Sequence, residues 1–289
     1  MSRPSIHTLG IVLVAALVLL AAGAAQAGRI PSAAALLNPD GSVSAPALIG
    51  SAYTGPVAID EYAITLDPAL GPVFHRAHSS VPMQAVTGSP RVLAAALFDN
   101  MLVLAGSFDP VAGTRSCNIV AWDGTQWVSL GRFGTNGTVF ELSVFHDRLI
   151  VAGDFSSAGN DRIFHIASWD GEYFSPMSRG LEAPVFALAV HQNLLIAAGL
   201  NGLGSTYGMG CSGVIAWDGH RWSCHGYMIQ GIVREVESTG DRLAATGQFF
   251  GLPIGRPDTT LYFDGNRWGA TSNANAGIAS LGAAADAAK

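Results

Sequence analysis

Ionisable side chains suited to acid–base or metal chemistry are few in this chain, and their spacing seldom fits it. Glu141, Glu235 and Asp161 are available as a general acid and base, a task that needs two groups within reach of one substrate. Their places in the sequence bring no two of them together. His146 and His191 hold matching places in two repeated turns and read as exposed turn residues. His75 and His78 form a His-x-x-His pair that lacks a third ligand. Asp154, Asn160 and Asp161 offer oxygens for Ca²⁺, but not at EF-hand spacing. Asx turns account for them more simply. The run from Gly202 to Gly208 has one residue too many for a dinucleotide fingerprint, and no helical pattern follows. No serine sits in a Gly-x-Ser-x-Gly elbow. No catalytic, metal or cofactor site is assigned, no cofactor is expected, and the balance leans away from an enzyme.

The elements behind these residues come from a phrase used four times. It reads Trp122-Asp123-Gly124, Trp169-Asp170-Gly171, Trp217-Asp218-Gly219 and Phe263-Asp264-Gly265, at spacings of 47, 48 and 46 residues. A fixed period of this size marks a repeat architecture. Upstream of each phrase lie two β-rich apolar runs, such as Val92–Leu97 with Leu102–Phe108, and Val139–Val144 with Leu149–Phe155. A third strand ends at the first aromatic and a fourth follows the Asp-Gly. That dipeptide predicts a tight type I′ hairpin with positive φ at both residues. Trp127, Phe174, Trp222 and Trp268 each fall five residues after the first aromatic. Strand parity then sets each pair on one face, as packing between sheets rather than as a stacking platform. The recurrent Gly106, Gly153, Gly199 and Gly247 mark close backbone approach within a strand.

Four-stranded units stacked radially make a β-propeller. The fold class read from the sequence is therefore all-β, a propeller with four clear repeats at about 92–138, 139–184, 185–232 and 233–271. The segment at about 45–91 has the length of one more unit. It carries strand-like runs at Tyr62–Leu66 and Met83–Val86 but no Trp-Asp-Gly, and reads as a degenerate fifth blade. The alternative is an arm covering a four-bladed ring. The propeller spans 45–271, preceded by an N-terminal arm over 28–44 and followed by a flexible tail over 272–289.

The pattern Val-x-x-Leu, Ala-Gly-x-Phe, Ala-x-Trp-Asp-Gly-x-x-Trp, Leu-Gly resembles the kelch-like propeller repeat of secreted bacterial proteins. It is also similar to the repeats of fungal cortical polarity-marker ectodomains. Phe174 and Phe263 depart from it in place of Trp, and Leu200 in place of Phe. The resemblance implies a propeller used as an interaction module, and fold alone carries no activity.

Residues 1–27 read as a signal peptide: Arg3, an apolar run from Leu9 to Ala22, and Ala25-Gln26-Ala27 as the cleavage site. The apolar run is about 14 residues, short of the roughly 20 that span a bilayer. An uncleaved anchor is the alternative. The mature chain is expected to be periplasmic or extracellular, with no membrane span. Net charge is −6, and the basic residues are scattered arginines apart from Lys289, which gives no footprint for nucleic acid. Export permits a disulfide, for which Cys211 and Cys224 bracket one hairpin, leaving Cys117 over.

In such a repeat, turns one-to-two and three-to-four open on one end, and the long two-to-three loops on the other. Those loops, Asp109–Asn118, Ser156–Ile163, Asn201–Ser212 and Phe250–Asp258, differ among units. Variable loops on a rigid scaffold are where recognition usually resides. The Gly-rich third loop is the candidate ligand face, through Asn201, Ser205, Tyr207 and Met209. The function expected is a binding module for a protein or glycan of the cell surface, with self-association open. The alternative is a propeller enzyme acting on glycans, as hydrolase, lyase or oxidase, with its site at the channel mouth.

Overall fold

The computed structural model describes residues 30–76, 91–200, 202–203, 213–226, 229, 231–249 and 259–269. The signal segment, the Met83–Val86 run, most of the third and fourth long loops and the 272–289 tail lie outside the described residues. Among those described the fold is mostly β. A short 3₁₀ turn (Ala33–Leu36) and a one-turn helix α1 (Ala45–Ile49) precede β1 (Gly55–Pro56) and a hairpin of β2 (Tyr62–Asp67) and β3 (Gly71–Arg76). Four antiparallel meanders follow. Sheet one is β4 (Arg91–Phe98), β5 (Met101–Ser107), β6 (Ile119–Trp122) and β7 (Trp127–Ser129). Sheet two is β8 (Thr138–Phe145), β9 (Arg148–Asp154), β10 (Ile166–Trp169) and β11 (Phe174–Pro176). Sheet three is β12 (Val185–His191), β13 (Leu194–Gly199), β14 (Val214–Trp217) and β15 (Trp222–Cys224). Sheet four is β16 (Gly231–Thr239), β17 (Arg242–Phe249), β18 (Thr259–Phe263) and β19 (Trp268–Gly269). The four sheets fall on the four sequence repeats.

First strands lie side by side in chain order, β4 next to β8, β8 next to β12 and β12 next to β16. Each middle sheet is thus covered on both faces, so its strands are apolar on both faces. Val103 and Ala105 of sheet one meet Leu149 and Val151 of sheet two in one core. Ile150 and Ala152 meet Leu195 and Ala197 in the next, and Ile196 and Ala198 meet Leu243 and Ala245 in the third. Among the described residues the series of shared cores stops at sheet four. Its far face carries Ala244, Thr246, Thr260 and Tyr262, none fully buried. The Thr246 and Thr260 hydroxyls lie 3.1 Å apart there. β17 alternates buried and half-buried where β5, β9 and β13 are buried through their middles. Polar outer faces are how stacked repeats end. Among the described residues the first and fourth sheets do not pack together, so the four do not close into a ring.

The segment before β4 does not form a four-stranded sheet among the described residues. Its β2–β3 hairpin lays Tyr62, Ile64, Leu66 and Phe74 over Leu102, Leu104, Val120 and Trp122, the outer face of sheet one. Among the described residues the hairpin covers that face. β1 adds to the inner edge of β4, with Gly55 opposite Leu97 and Pro56 opposite Ala96.

Two turn types differ from the expectation. Trp122 pairs with Trp127, so the Asp-Gly loop is four residues long, not two. Asp123 Oδ1 accepts the Thr125 and Gln126 N–H groups at 2.7 and 2.8 Å, and only Gly124 takes positive φ, at 98°. Asp170, Asp218 and Asp264 do the same. A carboxylate that caps its own turn removes the need for a left-handed Asp. The two-residue turns with both φ positive join strands one and two, at Asp99-Asn100, His146-Asp147 and Gln192-Asn193.

The aromatic pairs stand directly opposite across strands three and four, with ring centroids 4.7–5.3 Å apart. Each second tryptophan also reaches the preceding element. Trp127 Nε1 donates to the Asp67 carbonyl (2.9 Å), Trp222 Nε1 to Met177 (3.2 Å) and Trp268 Nε1 to His225 (2.7 Å).

Every first strand carries a β-bulge near its start, between Val92 and Ala94, Val139 and Glu141, Val185 and Ala187, and Val233 and Glu235. The recurrent glycine lies opposite the valine each time. A Cβ on Gly153 would strike the Thr138 carbonyl, and one on Gly199 the Pro184 carbonyl. Gly153→Ala is therefore expected to cost roughly 2–4 kcal/mol, as forced backbone shifts in a packed core do. Gly240→Ala, whose Cβ meets nothing, should cost about 1 kcal/mol, the penalty of its left-handed φ alone. Urea unfolding of the two variants measures the difference.

Candidate functional site

A bulge turns two consecutive residues toward one side and re-aims the first of them. The four bulges, from sheet one to sheet four, therefore present Leu93-Ala94, Phe140-Glu141, Phe186-Ala187 and Arg234-Glu235. They sit at the end of the inner strands nearest the long two-to-three loops. Phe140 and Phe186, from adjacent sheets, meet with centroids 5.3 Å apart at 59°, and both keep part of their surface exposed.

Glu141 follows Phe140 in the chain and lies opposite Ala152 in the register. Its side chain is pushed up to about 8, first by desolvation and then by the charges of Asp60 and Glu235. The Leu142 N–H, 3.3 Å from Oε1, works in the opposite direction. Glu235 stands on the open face of sheet four and is exposed. Partial desolvation, Glu237 and Asp60 still raise it above the ordinary carboxylate range. Asp60 comes from the arm. After β1 the chain continues antiparallel to β4, with the Val57 N–H donating to the Ala95 carbonyl, toward the bulge end. Three carboxyl groups distant in sequence thus share one electrostatic neighbourhood.

The candidate residues read from sequence divide as follows. Glu141 and Glu235 converge, whereas Asp161 belongs to the loop after β9, where its backbone pairs both ways with Ala158. Asp60 carried no sequence signal, since it lies outside the repeats. Asn201, Ser205, Tyr207 and Met209 lie outside the described residues, as do Cys211 and His78. Cys224 is disulfide-bonded, and Cys117 is a free, half-buried thiol. His146 is an exposed turn residue. His191 is not: it ends β12, one place before the turn, and is 3% exposed, with Nδ1 2.9 Å from the Ser238 hydroxyl. The turn there is the two-residue Gln192-Asn193, which leaves the histidine at the end of β12, in the seam between sheets three and four. Burial then holds its pKa below the ordinary histidine value, against the opposing charge of Asp241. Among the described residues no group of three or more His, Cys, Asp or Glu stands close enough to hold a metal ion, and no helix is long and apolar enough to cross a membrane.

The first two long loops are held by specific bonds. The Asn118 side chain accepts the Phe108 N–H (3.1 Å) and donates to the Thr135 carbonyl (2.9 Å). Asn136 Oδ1 accepts the Ser156 and Ser157 N–H groups, both at 2.9 Å.

No protein-family model matches the chain, and no curated protein aligns with it. Among solved structures it is similar to the uncomplexed acylaminoacyl peptidase of Pyrococcus horikoshii, at 14% identity and a TM-score of 0.38. That likeness covers 63% of this chain and 28% of the peptidase, so the chain spans under a third of that protein's length. A likeness of this size assigns no activity.

The raised Glu141 makes stability depend on pH with a definite sign. The folded state holds its proton more tightly than the unfolded state does, so stabilisation is complete at low pH. It is lost as pH rises from the ordinary value of 4.5 through about 8. Glu141→Gln should melt at or above the parent temperature at pH 8 and lose this part of the pH dependence. Thermal melts of both proteins between pH 5 and 8.5 test it (~3.5 pH units). Parallel curves would show that the carboxyl is not held neutral.

Proposed function

We propose that this chain is an exported binding module of β-propeller type, whose ligand seats on the inner strands at the loop-bearing end. The observation that carries the reading is the half-exposed Phe140–Phe186 pair beside Glu141. Rings with free faces next to carboxyl oxygens suit a sugar, which lays C–H bonds on an aromatic face and directs hydroxyls to polar groups. A carboxyl that keeps its proton at neutral pH both donates and accepts there. A glycan of the cell surface is therefore preferred over a protein as ligand. The leader at 1–27 supports export, and the kelch-like repeat together with adjacent first strands supports the propeller. The β2–β3 hairpin occupies the place of a further blade on sheet one, and the polar face of sheet four ends the series.

If this is the site, the Phe140→Ala/Phe186→Ala variant should bind neutral polysaccharides such as dextran or mannan about tenfold or more weakly than the parent, by calorimetry. Its melting temperature should change little, because both rings are partly exposed. Equal affinity for every glycan that the parent binds would sink the reading.

One observation favours a second reading. A neutral carboxyl flanked by two others is the arrangement a glycan-cleaving enzyme uses as general acid. Glu141 would be that acid, with Glu235 or Asp60 as the charged partner. Reducing-end release from a bound polysaccharide distinguishes the two. Under the enzyme reading Glu141→Gln lowers turnover at least about a hundredfold and leaves affinity in place; under the binding reading no turnover is seen in either protein.

A further inference from the structure

We propose that the outer rim where sheets one and two meet, at their loop-bearing end, is a separate binding surface for an acidic polysaccharide, read by Arg115, Arg132 and Arg162. Three segments come together there through backbone contacts. Cys117 bridges Gly134, with its N–H donating to the Phe133 carbonyl at 3.0 Å. Thr135 bridges Ala158, and Ala158 bridges Asp161. The Gly159 N–H donates to the Gly134 carbonyl at 2.7 Å. The Arg115 N–H reaches the Ser129 hydroxyl at 3.3 Å, which ties this loop to β7, the outermost strand of sheet one.

Within the joined segments 114–118, 131–136 and 156–163 stand three arginines and one acid, Asp161. The balance there is positive in a protein of net charge −6. All three arginines are exposed, and none forms an ion pair with a described residue. Two are set in place by rings. The Arg132 guanidinium lies 5.2 Å from the Phe133 ring centroid, and that of Arg162 lies 4.9 Å from Phe164. A guanidinium held over a ring is attracted to its face, and its N–H groups can bind a carboxylate with two parallel bonds. Phe133 itself is 45% exposed and offers an apolar face beside the guanidinium. Exposed guanidinium groups beside the exposed Phe133 ring complement a chain of acidic sugars, whose carboxylates meet the cations and whose C–H faces meet the ring. The surface makes no use of the Phe140–Phe186 pair, so it stands or falls apart from the reading above.

The test uses the full mature chain and polygalacturonate. Binding is expected at an ionic strength of about 0.01 M and should weaken strongly by about 0.15 M. Arg132→Gln/Arg162→Gln should lower affinity about tenfold or more. Arg132→Lys/Arg162→Lys should restore only part of it, because lysine keeps the charge and lacks the planar fork. Arg115→Gln, which removes no ring contact, gives a smaller loss in the same direction and serves if the double variant folds poorly. Phe140→Ala/Phe186→Ala should leave polygalacturonate binding unchanged. Absence of binding at low salt, or affinity retained in the glutamine variants, would overturn the proposal. Equal affinity for polyglutamate would overturn the polysaccharide in favour of an acidic peptide.

Discussion

The inner strand of every sheet carries one residue more than its neighbour, and a glycine across the ladder makes room for it. Without that glycine the carbonyl preceding each valine has no space, as at Gly106 against Arg91 and Gly247 against Ile232. The bulge bends the strand and turns a pair of side chains out of the regular alternation. Everything the molecule presents along its inner edge follows from this contact, including the Phe140–Phe186 pair and the placing of Glu141. Alanine fills two of the four positions after the bulge, Ala94 and Ala187, and glutamate the other two. The backbone device is constant, and the chemistry at its tip is what varies.

The sheets are tied to one another by a second constant device. A tryptophan on each outer strand, Phe174 excepted, packs on its partner across the hairpin and sends its N–H to a carbonyl of the preceding element. Trp127 makes the same bond to the arm that Trp222 and Trp268 make to a preceding sheet. The arm thereby stands in for a blade on sheet one in packing and in hydrogen bonding, with half the strands. At the other end Thr246 and Thr260 replace the alanines and branched aliphatics of the earlier units. A face with hydroxyls gains little from burial unless each is paired. Among the described residues the outer faces of the first and fourth sheets thus differ, one covered by the arm and one lined by hydroxyls.

Charge is divided across the loop-bearing end. Carboxyl groups gather at the inner strands, where desolvation and the neighbouring charges push the Glu141 carboxyl up to about 8, and arginines lie over aromatic rings on the outer rim. The separation follows from connectivity. Residues of the inner strand come from the bulge, whereas rim residues come from the connections around strands three and four, at the far edge of each sheet. Backbone hydrogen bonds and β-bridges hold both regions.

Repetition carried what was legible in the sequence. The period, the strand order, the aromatic pairs and the need for Gly106, Gly153, Gly199 and Gly247 all follow from residues that recur, because each copy meets the same local geometry. The Asp-Gly turn was placed correctly, but its geometry was not read. A carboxylate that bonds two N–H groups outweighs the dipeptide's preference for a tight turn, and the two-residue turns fell to Asp99-Asn100, His146-Asp147 and Gln192-Asn193. That shift by one residue buried His191. The tertiary structure alone decided what has no local counterpart: that the segment before β4 covers sheet one, that Asp60 lies in the electrostatic range of Glu141 and Glu235, and that Arg132 and Arg162 share a rim. Those juxtapositions join residues far apart in the chain, and no periodic signal encodes a distance between them. They exist because successive sheets must bury their faces on one another, and that packing carries along whatever the bulges and loops present.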